Sequence, residues 1–252
     1  MAYEFLGGIE WLIFFLVSLA MMLLAPWYAP KLGMTELRKI PKIDVLADIV
    51  KSNAERGRPI LFTYGGLTTG STMESVLLAS ANTLMAQTAK TCGDLGIELY
   101  TTAMRPEAFM MMVDSARQGF QESAHPEAYR EENNYFTADG IVGSYYALST
   151  IMGINAGTYI QIGYLHMCTT VCVLEGCHRI GATSWCMNNA IDTQPLGLCF
   201  ADYALLGEEQ VISGPYMKND IEEIKNIIGG DMAKLVLIFL MIVFAIRFTL
   251  GV

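Results

Sequence analysis

Two long apolar runs, one near each end of the chain, limit what this sequence can fold into more than any other feature. The second run, residues 233–250, carries only Lys234 and Arg247 and is close to the ~20 residues that a helix needs to cross a bilayer. The first run, residues 11–25, reaches that length when the apolar and aromatic residues on both sides are included. The pattern predicts two membrane-spanning helices that bracket one water-soluble domain.

These runs divide the chain into five predicted segments. They are a first transmembrane helix (1–30), a basic connector (31–42), an α/β domain (43–217), a linker (218–231) and a second transmembrane helix (232–252). Basic residues lie beside both runs on the side of the central domain: Lys31, Arg38, Lys39, Lys42, Lys225 and Lys234. Because Lys and Arg favour the cytoplasmic side, we expect a two-pass protein of the cell membrane with a cytoplasmic central domain and both termini outside.

The charge of the chain excludes one large class of partner. The formal net charge is −9, and the part between the two apolar runs carries the same excess of acidic residues. An acidic domain without a basic stripe repels phosphate backbones, so nucleic-acid binding is not expected. The expected partners are the lipid bilayer and further copies of the chain.

Between the apolar runs, short β-rich segments alternate with segments of helical periodicity. The predicted strands are residues 60–64, 97–101, 135–137, 158–164, 182–187 and 203–206, and the predicted helices are 43–57, 71–93, 106–120, 139–152, 165–179 and 208–217. This alternation predicts right-handed βαβ units and a Rossmann-like α/β fold, a mostly parallel sheet flanked by helices on both faces.

The apolar residues of three helices give more detailed expectations. The buried face of helix 71–93 is predicted to contain Met73, Val76, Leu77, Ala81, Leu84 and Thr88, and helix 139–152 carries Ile141, Tyr145, Leu148 and Met152. One helix cannot bury three consecutive methionines, Met110 to Met112, on a single face, so part of this triplet should meet another surface. Segments 138–152 and 156–164 are rich in Gly, Ala, Ser and Tyr, which permit close approach within a domain or between subunits.

Several stretches of the sequence resemble an uncharacterised prokaryotic family of membrane-anchored α/β proteins. They are IPKIDVLADIV and GRPILFTYG, then LGIELYTTAMRPEAF, and finally FADYALLGEE followed by a terminal hydrophobic helix. The resemblance covers most of residues 40–217. It implies the architecture and provides no catalytic residues, because the family's function is unknown.

A glycine-rich loop is the first candidate site. Gly65, Gly66, Gly70, Ser71 and Thr72 lie between the first predicted strand and a helix, where free backbone N–H groups and the helix dipole favour anions. The segment GGLTTGST lacks the lysine of a P-loop and the spacing of a dinucleotide-binding loop. A turn with Ser71 as the helix cap is the alternative interpretation.

A cysteine-rich helix is the second candidate. Cys168, Cys172, Cys177 and His178 are potential metal ligands, with His166 nearby, and Cys168 and Cys172 are spaced to share a helix face. The spacing differs from that of paired C-x-x-C motifs, so small thiols packed inside a helix interface are the alternative. We interpret Glu208 and Glu209, in the first turn of a helix, and Asp202, before the preceding strand, as structural acids; the alternative is a metal ligand or proton acceptor at the carboxyl edge of the sheet. We interpret His125 as a solvated loop residue.

The sequence shows no catalytic constellation, so we expect a non-enzymatic protein. The leading hypothesis is a membrane-anchored scaffold that self-associates side by side beneath the bilayer. The first alternative is a sensor or binding module for a small anion or nucleotide at Gly65–Thr72. The second alternative is a metal or redox protein, with a metal ion or iron–sulfur centre at the cysteines; otherwise no cofactor is expected.

Overall fold

The computed structural model describes residues 39–218 continuously. It also describes scattered positions near the ends, namely 12, 15–17, 19–20, 24, 27, 227–228, 230–231, 234–235, 237–238, 241–242 and 249. Most of the two predicted spans therefore lies outside the described residues. Within the described part of the chain, no helix is both long enough and apolar enough to cross a membrane. Ile40–Lys218 form one compact unit, and the fold is that of this unit.

Six strands and seven α-helices alternate through residues 40–218. The strands are β1 (Ile60–Tyr64), β2 (Leu99–Ala103), β3 (Asn134–Phe136), β4 (Thr158–Ile162), β5 (Thr183–Met187) and β6 (Tyr203–Ala204). The helices are α1 (Pro41–Arg56), α2 (Thr72–Leu95), α3 (Pro106–Gln121), α4 (Ile141–Gly153), α5 (Met167–Ile180), α6 (Gln194–Phe200) and α7 (Glu208–Lys218). Two 3-10 turns, Pro126–Ala128 and Glu131–Asn133, lie in the polar segment before β3.

The six strands form one parallel sheet in the order β3-β2-β1-β4-β5-β6. This arrangement confirms the predicted α/β fold with a parallel sheet flanked by helices. The chain passes from β1 outward to β3, and then returns across the sheet so that β4 lies beside β1. The connections that follow β1 and β4 therefore run in opposite directions across the sheet. In such sheets ligands bind outside the carboxyl ends of the two strands at which the direction changes.

The helices divide into two layers, one on each face of the sheet. Two consecutive residues of β3 show the division: Tyr135 packs on Tyr146 of α4 with ring centroids 5.8 Å apart, and Phe136 packs on Phe109 of α3 at 5.7 Å. Successive strand residues point to opposite faces. Helices α1, α2, α3 and α7 cover what we call the first face, and α4, α5 and α6 cover the second face.

Small residues allow the helices of the first face to pack closely around α2. A Cβ added at Gly119 of α3 would lie 2.2 Å from the carbonyl oxygen of Ala86, and one at Gly214 of α7 would lie 2.4 Å from that of Ser80. Neither position has room for a larger side chain, because the neighbouring atoms belong to the backbone of α2. The long helix α2 is thus held between α3 and α7.

The buried faces of two helices differ from those that the sequence predicts. In α2, Leu77, Ala81, Leu84 and Thr88 are buried as predicted, but Met73 and Val76 are exposed. In α4, Ile141, Tyr145 and Met152 are exposed, and the buried residues are Gly143, Ser144, Ala147 and Ile151. A Cβ at Gly143 would lie 2.3 Å from the carbonyl oxygen of Ala138, so α4 lies too close to its neighbours for large residues on its inner side.

Further differences concern element boundaries and the methionine triplet. Helix α6 was not predicted, and β2 begins two residues later than expected. Ser71 occupies the N-cap position of α2 as predicted, but its side chain makes no capping hydrogen bond. Met112 is buried whereas Met110 and Met111 are exposed, which confirms that α3 does not bury all three.

Candidate functional site

The glycine-rich loop lies at the carboxyl edge of the sheet, directly after β1, and it is fastened to the connection that follows β4. The backbone N–H groups of Gly65 and Gly66 donate to the carbonyl oxygens of Ile162 and Tyr164, both at 2.8 Å. The N–H group of Leu67 donates to the carbonyl of Gly65 at 2.7 Å. Three donors that an anion would need are therefore already engaged within the chain.

Leu67 fills the space between the two loops. Its side chain is fully buried, and a Cβ at Gly163 would lie 2.6 Å from its Cγ. Gly163 also has a φ of +92°, a backbone conformation that side chains rarely adopt. Likewise, a Cβ at Gly65 would lie 2.3 Å from the carbonyl oxygen of Tyr164. Gly65 is required because it contacts the backbone of the second loop, and Gly163 because of its positive φ and its contact with the Leu67 side chain.

The remaining predicted residues of this loop lie nearer the surface. Gly70 and Thr72 are exposed, Ser71 is half-buried, and the N–H group of Gly70 donates to Oγ1 of Thr68 at 3.2 Å. The Thr68 hydroxyl in turn donates to a carboxyl oxygen of Glu107 at 2.6 Å, and this hydrogen bond holds the pKa of Glu107 below its ordinary value. An anion at the start of α2 would therefore approach a carboxylate, and anion binding there stays a prediction.

An ion pair that sequence reasoning did not single out borders the same loop. Arg105, just after β2, donates to Asp139, just after β3, at 2.7 Å. The other carboxyl oxygen of Asp139 accepts from the N–H group of Gly140 at 2.8 Å and faces Gly66. Arg105 and Asp139 each follow a strand, and these two strands are neighbours in the sheet. The sequence contains both residues, but recognising them as a pair requires knowledge of the strand order. The guanidinium is paired, so its charge is already neutralised.

Buried amide side chains close the carboxyl edge beside β4 and β5. Gln161 donates from Nε2 to the carbonyl of Gly163 at 3.3 Å, and Gln210 donates to the carbonyls of Asn188 and Leu205 at 2.8 and 2.9 Å. All three amide residues are almost entirely inaccessible to solvent. These hydrogen bonds tie α7 and the loops after β4 and β5 to the end of the sheet.

The structure does not bring the four predicted metal ligands together. Cys168, Cys172 and His178 are exposed on α5, whereas Cys177 is buried against the sheet beside Tyr159. Burial raises the pKa of the Cys177 thiol to about 12, which makes it a poor ligand. Among the residues that the structure describes, no group of three or more His, Cys, Asp or Glu side chains is placed to hold a metal ion.

The other polar candidates have structural partners. Asp202 accepts hydrogen bonds from the backbone and hydroxyl of Ser184 at 2.8 and 3.0 Å, which ties the loop before β6 to β5. Glu209 lies 3.9 Å from Lys42 of α1. His125 contacts Glu127 at 3.1 Å on the surface. These contacts agree with the structural interpretation of the acids and of His125.

The outer side of the second face carries few charged residues. Helices α4 and α6 contain no Asp, Glu, Lys or Arg, and α5 contains only Glu175 and Arg179, which pair with each other at 3.4 Å. We call the exposed apolar, tyrosine and cysteine side chains of these helices the uncharged surface; they are Ile141, Val142, Tyr145, Tyr146 and Met152 of α4, Met167, Cys168 and Cys172 of α5, and Leu198 and Cys199 of α6. Leu148 of α4 packs on Gly176 of α5, so these helices are direct neighbours. An exposed apolar area of this kind is typical of an interaction site.

Comparison with known proteins identifies an uncharacterised family over nearly the whole chain. No curated protein and no solved structure matches the chain. A family model described as a domain of unknown function, DUF6754, matches residues 5–252, and the chain therefore belongs to this uncharacterised family.

Proposed function

We propose that this chain is a membrane-anchored scaffold, of a prokaryotic family, whose copies associate through the uncharged surface. The observation that carries the proposal is the set of large apolar side chains exposed on α4, among them Val142 at 65% and Met152 at 53%. Removing such side chains from water is favourable by ~25 cal/mol per Å² of apolar area. A helix exposed in this way is therefore expected to be covered in the assembled protein.

A second copy of the chain is the partner that fits this surface. At a net charge of −9, two copies repel each other across any acidic surface, and the outer sides of α4 and α6 carry no charged residue. Tyr and Met are enriched at protein interfaces, and Tyr145, Tyr146 and Met152 are exposed here. A bilayer surface fits less well, because α4 and α6 carry no Lys or Arg to contact anionic lipids.

Anchoring in the membrane would strengthen such contacts. The described positions in the first apolar run include helical Leu12, Phe15 and Leu16, whose side chains are exposed, as are those of Leu235, Ile238 and Met241 in the second run. Exposed apolar residues on helical segments suit contact with lipid. If both runs hold the domain at the cytoplasmic side of the membrane, confinement raises its effective concentration, and modest lateral contacts suffice for assembly.

The test compares two equally exposed positions on opposite faces of the domain. Val142 on α4 and Met110 on α3 are both 65% exposed, so Val142→Glu and Met110→Glu introduce the same charge at similar cost to folding. We expect light scattering on the full chain in mild detergent to show an oligomer for the wild type and for Met110→Glu. Val142→Glu should weaken association at least tenfold, because carboxylates would face each other across the contact.

Two results would refute the proposal. One is a wild-type particle with the mass of a single chain at all accessible concentrations. The other is an oligomer that Val142→Glu and Tyr145→Glu leave intact while both variants keep the wild-type melting temperature. In that second case the copies associate through another part of the chain.

A second candidate function is binding of a small anion or nucleotide at the start of α2. The observation that favours it is the position of this helix N-terminus at the carboxyl edge beside β1 and β4. A ligand at a hundred times its Kd would stabilise the fold by ~2.7 kcal/mol. Thermal shift with nucleotides and inorganic phosphate tests this, and Glu107→Gln, which removes the nearby carboxylate, should increase any shift.

A further inference from the structure

The six cysteines divide into two groups according to their environment. Cys92, Cys177 and Cys186 are buried, and burial raises the pKa of each thiol to about 12. Cys168, Cys172 and Cys199 are exposed, and all three lie on the uncharged surface. The solvent-accessible thiols of this domain are therefore concentrated on the surface through which we propose that copies associate.

Two of the exposed thiols form a matched pair on one helix. Cys168 and Cys172 are four residues apart in α5, so their side chains share a face one turn apart. Cys168 is the second residue of the helix, where the dipole and the first-turn N–H groups favour negative charge. The contact between Leu148 and Gly176 shows that α5 packs beside α4, whose exposed residues include Ile141, Val142 and Tyr145.

One copy of the chain supplies two cysteine side chains, which is half the number of ligands in a tetrahedral site. Structural Zn²⁺ is bound by four ligands, often four cysteines, and no third potential ligand joins the pair within the described residues. A twofold axis presents the same helix from both copies, because each contributes the same surface patch. Two such pairs facing each other provide four thiolates.

We propose that Cys168 and Cys172 of two copies together bind one Zn²⁺ ion on the uncharged surface; this inference rests on the proposed self-association. Binding converts four thiols to thiolates and releases four protons, so the affinity for the metal falls as the pH is lowered. The site excludes Cys177, which is buried, and does not require His178, which lies six residues beyond Cys172. The ion would bridge the two copies and tighten a contact that already exists without it.

The experiment titrates Zn²⁺ and Co²⁺ into the full chain, purified in mild detergent with a non-chelating reductant and stripped with EDTA. Elemental analysis gives the metal content, light scattering gives the mass, and Co²⁺ reports thiolate ligation by its charge-transfer absorption. We expect about one ion per two chains and a thiolate band. We also expect an oligomer at least tenfold more resistant to dilution with the metal than after EDTA.

Matched variants locate the ligands. Cys168→Ser and Cys172→Ser should each abolish the thiolate band and the effect of Zn²⁺ on the mass. Cys199→Ser, which changes another exposed thiol on the same surface, and His178→Ala should leave both unchanged. Each cysteine variant should retain the wild-type melting temperature in EDTA, since the replaced side chains are exposed.

The outcomes separate this inference from the proposed function. An EDTA-stripped chain that is oligomeric but binds no Zn²⁺ overturns the metal site and leaves self-association standing. One ion per chain, or a thiolate band that survives Cys172→Ser, also overturns the shared site. A chain that is monomeric with and without Zn²⁺ overturns both proposals.

Discussion

The two faces of the sheet are covered by layers of helices that differ in their outer surfaces. On the first face, α1 alone carries six charged residues in sixteen, among them Asp44, Lys51 and Arg56. On the second face, α4 and α6 carry none, although α4 exposes several large apolar side chains. Both layers bury their inner sides against the same sheet. Helices on both faces expose large apolar side chains, among them Met73 and Met110 on the first face. The comparison teaches that the first face interleaves these side chains with charged residues, whereas α4 and α6 on the second face do not.

The largest expected effect concerns Arg58, which connects the two faces. It follows α1 and donates five hydrogen bonds to the ends of α4 and α5, with acceptors on Asn155, Ala156, Ile180 and Gly181. We expect Arg58→Ala to lower the free energy of unfolding by about 3 kcal/mol, because several charge-assisted hydrogen bonds are lost together. Chemical denaturation measures the loss.

The matched control for Arg58 is Arg58→Lys. It keeps the charge but has no planar fork of donors, so it should recover less than half of the loss. Full recovery with lysine would show that the charge, rather than the set of directed hydrogen bonds, holds the helix ends of the second face.

A smaller loss of stability is expected when one methyl group is added between two helices, either on the first face or on the second. At Gly119 on the first face the new Cβ meets the backbone of α2 at 2.2 Å, whereas at Gly176 on the second face it meets the mobile end of Leu148 at 2.2 Å. Gly119→Ala should cost about 2 kcal/mol, since the backbone must move. Gly176→Ala should cost less than about 1 kcal/mol, since a rotamer change and the helix propensity of alanine offset the contact. Thermal melts of both variants test the difference, and equal losses would contradict it.

The next prediction uses pH to compare the inner and outer thiols. The pKa of Cys177 and Cys186, inside the second face, is raised from 9.0 to about 12, as is that of Cys92. Above pH 9 the unfolded chain loses these protons and the folded chain keeps them, so stability falls as the pH rises from 9 towards 12. The slope is ~1.4 kcal/mol per pH unit for each buried thiol, and burial of Tyr64 and Tyr159 adds in the same direction.

Unfolding in denaturant at pH 8 and pH 10 measures this slope. Cys177→Ala should reduce it by about one thiol's share, and Cys172→Ala, which removes an exposed thiol, is the matched control. A slope that responds equally to both variants would show that the inner and outer thiols do not differ in burial.

The smallest expected effect on stability concerns an ion pair at the carboxyl edge of the sheet. Arg105 and Asp139 form an ion pair in which both side chains are 45% exposed. Such pairs contribute ~0.2–1 kcal/mol, so Asp139→Asn should lower stability by less than about 1 kcal/mol. Sodium chloride at 1 M should remove most of the difference between this variant and the wild type. A larger loss would indicate that Asp139 also holds Gly66 and the loop around it.

Local sequence patterns predicted most of the elements, and packing explains where they failed. The run Ile60–Tyr64 is β-rich and bounded by Pro59 and Gly65, so β1 was placed correctly. Helix α6 was missed because its seven residues, QPLGLCF, are too few to show a helical period. The buried face of α4 was misidentified because its inner residues are small and its large apolar residues lie outside.

The candidate sites were predictable only in part. Glycines after a first strand indicate a close approach of the backbone, and the structure shows this approach at Gly65. The sequence could not show that the approaching group is the chain's own Tyr164 rather than a ligand. Similarly, the spacing of Cys168 and Cys172 indicates a shared helix face, but their separation from Cys177 depends on which side of α5 meets the sheet.

The sequence by itself determined the alternation of strands and helices, the acidic charge, and the apolar character of both ends, because these depend on composition and local period. Only the tertiary structure decided the order β3-β2-β1-β4-β5-β6, the contact between the loops after β1 and β4, and the position of the uncharged surface. These features depend on pairings between residues that are separated in the chain, such as Ile60 with Leu99 and with Thr158. A local pattern is the same whichever distant segment packs against it.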